Sequence, residues 1–248
     1  MIKKIIQKNF WCFQFDAPNE NHLGTNIFVL INNSEAFLLN AGYEEHLTEV
    51  LAELKDYTIK GILPSHYHPD HIDGIRLIEH PVIYGNVYAE ETLKLYMPKD
   101  LERLKPTHII QDNETLQFGD FALTFYHASG HSDCTMLIDI NKTYLHVGDL
   151  YMTKNSGTDV LPYVIWKNVS KHIDSLKRIL ELRYENLLLS HGYITLQEDN
   201  YTIGINDRIS YLQNILDSDN TCTTEEALKY TNRPFAFHKW RADIIKDL

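Results

Sequence analysis

The chain has 248 residues, of which 44% are hydrophobic, 11% aromatic and 23% charged, enough apolar material for a core and a balance that excludes a wholly disordered or collagen-like chain. Lys and Arg number 23 against 34 Asp and Glu, a formal net charge of −11, so the average surface repels a phosphate backbone and no nucleic-acid partner is expected. Three cysteines without a C-x-x-C pair give no disulfide framework and fit a reducing, cytoplasmic compartment, while no apolar run approaches the ~18 residues of a membrane span and the start MIKKIIQKNF lacks the apolar stretch of a signal peptide.

In chain order, apolar or alternating runs over 10–15, 25–31 and 35–40, split by the turn clusters APNENHLG and NNS, predict antiparallel strands. Over 43–56 the period changes: Leu47, Val50, Leu51 and Leu54 fall on one helical face. GILPS (61–65) is a buried strand running into a loop. A short helix (73–80), a short strand (81–85) and a helix (89–96) follow, then three or four strands over 115–148. Residues 150–168 have no period and form a long loop, a form expected of a functional lid or a disordered excursion. Ile173, Leu176 and Leu180 mark a helix, 186–190 a buried strand, and Ile205, Ile209, Leu212 and Leu216 another helix. Thr223 and Glu226 have capping-box spacing for one more. The order lacks strict β-α-β-α alternation. It predicts an α/β fold: an αββα sandwich of two mainly antiparallel β-sheets, helices on the outer faces, and a helical C-terminal extension. We place one main domain at 1–200 and the extension at 201–248, packed on the same domain.

The chemistry concentrates in SHYHPDHIDG (65–74). His66, His68, Asp70 and His71 lie within six residues, and imidazole with carboxylate suits zinc or iron. His66 and His68, two apart in an extended segment, can point the same way. Asp70 and His71 need a turn first, which points to two metals more than one. Four residues cannot fill two shells, so further ligands are sought at other strand ends. His131 in ASGHSDCTM, Asp149 in YLHVGDL and His191 in LLLSHGY each follow an apolar run and have a glycine neighbour. Singly, each reads more readily as a turn residue than as a ligand; together they agree with the first cluster. Tyr151, Tyr163 and Trp166 are candidates for a pocket lining or for oxyanion donors, Tyr193 less so. His22 reads as a surface histidine, His127 and His146 as sheet histidines, and Cys134 as a small buried residue.

The set resembles the metallo-β-lactamase-fold hydrolase superfamily over roughly residues 20–195. Its H-x-H-x-D-H element stands as His66, His68, Asp70 and His71; G-H-[ST] as Gly130-His131-Ser132; G-D as Gly148-Asp149; and S-H-G as Ser190-His191-Gly192. The ligand set is similar to that of hydroxyacylglutathione hydrolases (glyoxalase II) and acyl-homoserine-lactone lactonases. The resemblance implies one metal held by His66, His68 and His131, a second by Asp70, His71 and His191, and Asp149 bridging both. It implies two divalent ions, zinc by default with iron or manganese as alternatives. A hydroxide between them would attack a small ester, thioester or lactone, and Asp70 would orient or relay the proton to the leaving group. Two positions depart from the pattern. Asn40 in FLLNAG stands where the family usually has an aspartate. Met152 stands where the lactonases have a tyrosine, with Tyr151 one residue earlier as the catalytic candidate. The expected partner is a small-molecule substrate. An iron-dependent oxidoreductase, a phosphodiesterase or nuclease, and a non-catalytic metal-retaining binding or regulatory protein are the alternatives.

Overall fold

The computed structural model describes residues 1–244. The first sheet contains β1 (Ile2–Gln7), β2 (Phe10–Phe15), β3 (Thr25–Asn32) and β4 (Glu35–Leu39). After helix α1 (Glu44–Glu53) it is completed by β5 (Thr58–Leu63), and the strands stand in sequence order. Every neighbouring pair is antiparallel except β4–β5, whose crossover is α1. The chain then runs through α2 (Pro69–Ile72), β6 (Tyr84–Gly85), α3 (Ala89–Tyr96), α4 (Leu101–Leu104) and β7 (His108–Ile109).

The second sheet takes β8 (Thr115–Phe118), β9 (Phe121–His127), β10 (Met136–Ile140) and β11 (Tyr144–His146). Beyond β12 (Asp159–Val160) and α5 (Val169–Leu182) it adds β13 (Asn186–Leu188) and β14 (Thr195–Gln197), in the order β14-β13-β11-β10-β9-β8. Its one parallel pair, β11–β13, is again joined through a helix, α5. The tail contributes α6 (Glu198–Asp217), α7 (Thr224–Ala227), β15 (Phe235–Ala236) and α8 (Trp240–Asp243). Among the described residues no helix is long and apolar enough to cross a membrane.

Alternation along the strands sets the layers. In β3, Phe28 and Leu30 face the second sheet and meet Phe125, Met136 and Ile138. Ile27, Val29 and Ile31 face the other way, onto Leu47 and Val50 of α1. In the second sheet Leu137, Leu145 and Leu187 turn outward to Ile173 and Leu176 of α5 and Ile205 and Leu212 of α6. Strands covered on both faces become apolar at every position, which is why FVLI reads as an unbroken run. Each such side chain stabilises the fold by about 1.5–3 kcal/mol. The architecture is the αββα sandwich expected, with helices at the C-terminus. Among the elements that differ from the sequence reading, three shape the sheet edge and the tail. Strand β1 was not expected. It is an edge strand exposed at nearly every residue, so it carries no burial pattern, and its Lys3 lies over the Trp11 ring and pairs with Glu53 of α1. Helix α6 starts at Glu198, and its Tyr201 and Ile205 share one core with Leu187 of β13. The unpatterned 150–168 segment contains β12, which pairs in parallel with β15 of the tail.

Candidate metal centre

Strands β9, β11 and β13 run the same way, so their C-terminal ends meet at one edge, and β5 of the other sheet ends there too. Each releases the chain into a short loop at that edge. His66 follows β5, His131 lies between β9 and β10, Asp149 follows β11 and His191 follows β13. His68 and Pro69 open α2, with proline at its favoured first position, and this one turn of helix rotates Asp70 and His71 toward a second point. Backbone hydrogen bonds stitch the sheets together beside these loops: Met136 N–H donates to Ser65 O at 2.8 Å and Asn26 N–H to Ser190 O at 2.8 Å.

The seven side chains converge in two groups, each with its ligand atoms within 4.8 Å of one another: His66, His68 and His131, and Asp70, His71, Asp149 and His191. Nδ1 of His68 lies 3.0 Å from Nε2 of both His66 and His131. Oδ2 of Asp149 is 3.6 Å from His131 Nε2, 3.9 Å from His66 Nε2 and 3.3 Å from His191 Nε2, and its Oδ1 is 3.4 Å from His71 Nε2. Asp149 therefore stands between the groups. Oδ2 of Asp70 is 3.4 Å from His191 Nε2 and 3.8 Å from His71 Nε2.

The residues fit a pair of divalent cations. His71 Nε2 and Asp149 Oδ1 are buried with no hydrogen-bond partner, a costly arrangement unless a cation satisfies them. The far nitrogens of two rings are already engaged. His131 Nδ1 lies 2.8 Å from the Tyr163 carbonyl oxygen and His191 Nδ1 2.8 Å from that of Gly24. A carbonyl accepts only, so each Nδ1 carries a proton, which leaves each Nε2 as the ring atom that would meet a cation. Behind His66 and His71 sits the Ser65 hydroxyl, 3.2 and 3.4 Å from their Nδ1 atoms.

Burial first, then the adjoining rings, holds His66 well below the usual histidine range and His68 at about 3; burial lowers His131 as well. These rings are neutral and ready to ligate. Burial opposes ionisation of Asp149, but His191, His71 and His66 outweigh it. For Asp70 the charge of His71 and the hydrogen bond from His191 do the same, so both carboxyls stay well below their ordinary range. His191 is pushed well above its own, against burial, by Asp149 and then Asp70. The protein alone thus keeps a proton between two carboxylates, a place a divalent ion would take over with release of that proton.

Two glycines allow this crowding. A Cβ at Gly192 would lie 2.0 Å from the Thr153 carbonyl oxygen, and one at Gly130 2.4 Å from His172 Cα; both glycines have positive φ, +85° and +147°. Asn40, itself at φ 65°, accepts from Ser65 N–H through Oδ1 at 2.8 Å and donates through Nδ2 to Ser190 Oγ at 3.1 Å. It ties the loops carrying His66 and His191 without contributing a charge. Replacing Asn40 by Ala is expected to weaken metal affinity by about 10–100-fold, measured by competition with a chromogenic chelator. Asn40→Asp, which can accept both bonds, is expected to retain most of it; equal affinity in the alanine variant would remove this role.

The centre floors a cavity of about 1010 Å³. Tyr163 lines it, as do residues the sequence reading passed over: Phe15, Tyr43, His46, Tyr96 and Trp240; His22 reaches its mouth. Tyr151 requires a correction. It is fully buried behind the cavity, in the core shared with α5 and α6, and the Arg208 guanidinium lies 3.7 Å from its ring centroid. The strand-like turn after Asp149 sends Met152, not Tyr151, to the cavity, so Tyr151 cannot touch a substrate there. Trp166 packs against the same core, Cys134 is buried, and His127 stacks on Tyr88. A tyrosine or tryptophan brought in from α3 or α8 leaves no local signal, because nothing in its own segment records which loop it will face.

A family model described as the metallo-beta-lactamase superfamily matches residues 21–191. Among curated proteins, the chain is 22% identical over 190 residues to the Beta-lactamase-like protein 2 homolog of Drosophila melanogaster, covering 69% of this chain and 59% of that protein. It is 25% identical over 169 residues to a hydroxyacylglutathione hydrolase of Edwardsiella ictaluri (strain 93-146), covering 67% and 61%. The matches thus span about six tenths of those relatives' length. Among solved structures, a metallo-beta-lactamase from Pontibacter korlensis superposes with a TM-score of 0.68 at 15% identity, covering 86% of this chain and 99% of that one; at that identity the likeness is one of fold.

Proposed function

Because the chain belongs to the metallo-beta-lactamase superfamily, matched over more than half its length, we propose that it is a hydrolase of small esters, thioesters or lactones that works with two divalent ions, zinc first among them. The observation that carries this reading is the pair of ligand groups sharing Asp149 on the floor of an open cavity. His66, His68 and His131 would hold one ion, Asp70, His71 and His191 the other, with Asp149 common to both. Ions held there supply a water acidified toward neutral pH and a Lewis acid for a carbonyl oxygen. Imidazole and carboxylate donors without thiolate suit zinc and do not forbid iron or manganese.

The side chains divide the remaining work. Asp70 has 29% of its side chain exposed, against 6% for Asp149, so it is the carboxylate a substrate can reach. It would orient a nucleophile and pass its proton to the leaving group. The Tyr163 and Gly24 carbonyls keep the His131 and His191 rings from turning. The cavity volume suits a small molecule. A small-molecule partner also accords with the acidic net charge, which disfavours a nuclease.

Chelator treatment is expected to reduce hydrolysis of a panel of thioesters, esters and lactones to the uncatalysed rate, and two equivalents of zinc to restore it, with elemental analysis giving the stoichiometry. Undiminished turnover by metal-free protein would overturn the reading. A fully loaded protein that hydrolyses nothing on the panel would leave a metal-retaining binding protein.

A further inference from the structure

The lining of the cavity above the centre combines aromatic rings with exposed carboxylates. Three of the rings come from separate elements. Tyr96 of α3 lies 4.6 Å, centroid to centroid, from His68; Tyr163 lies 6.0 Å from His131; and Trp240 of α8 meets Tyr163 edge-on at 5.4 Å. Tyr96 is 47% exposed and Tyr163 40%, so these faces are open to a ligand. The lining also carries Asp16, Glu45 and Glu49, all exposed. Its lysine is Lys239, next to Trp240, and the Met1 amine is drawn to Glu49 at 3.6 Å. Among the described residues no arginine lines the cavity, so the planar fork that binds a carboxylate or phosphate in two places is missing.

We propose that the substrate carries its reacting carbonyl on an aromatic or alkyl body without a carboxylate or phosphate group, an uncharged or cationic compound laid against Tyr96, Tyr163 and Trp240. The inference rests on the hydrolase reading for the fate of the carbonyl, but only on the cavity wall for the body. The carbonyl belongs at the floor, where the ions would sit. The body extends past the rings toward the exposed lining, where an anionic group would meet three carboxylates and a cationic one would find both these charges and the ring faces. The tail thereby takes part in specificity, since Trp240 supplies one ring of the wall.

Three S-ethyl thioesters of one shape test this: 4-methylbenzoyl, 4-(trimethylammonio)benzoyl and 4-carboxybenzoyl, with the matching N-ethyl amides as unhydrolysed ligands. Binding of the amides to zinc-loaded protein, followed by tryptophan fluorescence and calorimetry, is expected to favour the first two over the carboxylate by about tenfold or more at low salt. The preference should narrow at high ionic strength. Glu45→Lys with Glu49→Lys should erase it, and Trp240→Ala should weaken the neutral ligand severalfold with metal content unchanged. Equal or tighter binding of the carboxylate, or no binding by any of the three, overturns the inference. If the amide order holds while no thioester is cleaved, the hydrolase reading fails and this one stands. If the thioesters are cleaved with the carboxylate preferred, the reverse is true.

Discussion

Asp149→Asn is expected to lower kcat/KM by more than about 100-fold and to cut bound metal from two equivalents to one or fewer. Partners that merely orient ligands cost about 10–100-fold when lost, and Asp149 stands closer in: its oxygens reach His71, His131 and His191 within 3.6 Å. The amide keeps shape and one acceptor oxygen but removes the charge that two cations would share. Elemental analysis and a rate assay measure both effects, and an unchanged circular-dichroism spectrum separates loss of the centre from loss of the fold. A variant that keeps two ions and its full rate would show that the bridging position lies elsewhere.

Arg208→Met is expected to destabilise the protein by ~3 kcal/mol, the lower end for breaking a buried pair, since the Asp159 carboxylate keeps its longer contact to Arg233 at 3.4 Å, and to lower the melting temperature by roughly 10 °C. Arg208, 1% exposed in α6, donates to the Met152 carbonyl at 2.7 Å and the Val160 carbonyl at 3.3 Å, and pairs with Asp159 at 3.0 Å. It also stacks on Tyr151. These groups belong to the 150–168 segment, which begins one residue after Asp149 and carries Met152 and Tyr163 to the cavity. Activity measured well below the melting point should therefore also fall, by up to about 100-fold if the segment shifts by an ångström. Thermal melts and assays of the single variant, and of Arg208→Leu with Asp159→Leu, check this. The double variant should regain part of the stability, because an apolar pair leaves no buried charge unpaired. A single variant that melts with the wild type would mean that the tail does not hold this segment.

How much was legible beforehand follows the range of each signal. The paired sheets were visible because strands buried on both faces must be apolar throughout, as FVLI is, and helix α1 was visible because Leu47 and Val50 recur on one face. The four residues of the SHYHPDHIDG loop stood out because their ligand types crowd a few positions. His131, Asp149 and His191 stood out because each ends an apolar run beside a glycine, and the structure brings all seven together. Strand β1 escaped notice because exposure removes alternation, although it pairs with β2 from Ile2 to Gln7 with one register shift after Ile5. The placement of Tyr151 was misread for the opposite reason. Adjacency to Asp149 says nothing of direction, and a one-residue step in the extended chain after Asp149 exchanges the cavity for the core.

Residue types and their local spacing were thus enough to name the layers and the seven side chains that converge, because burial and the crowding of histidine and aspartate leave marks within a few residues. The cavity wall of Tyr96, Tyr163 and Trp240, the clamp of Arg208 on 150–168, and the choice of Met152 over Tyr151 came only from the packed molecule. Each depends on which distant segments share a surface, and that is settled by how two sheets and the tail pack together, not by any stretch of chain alone.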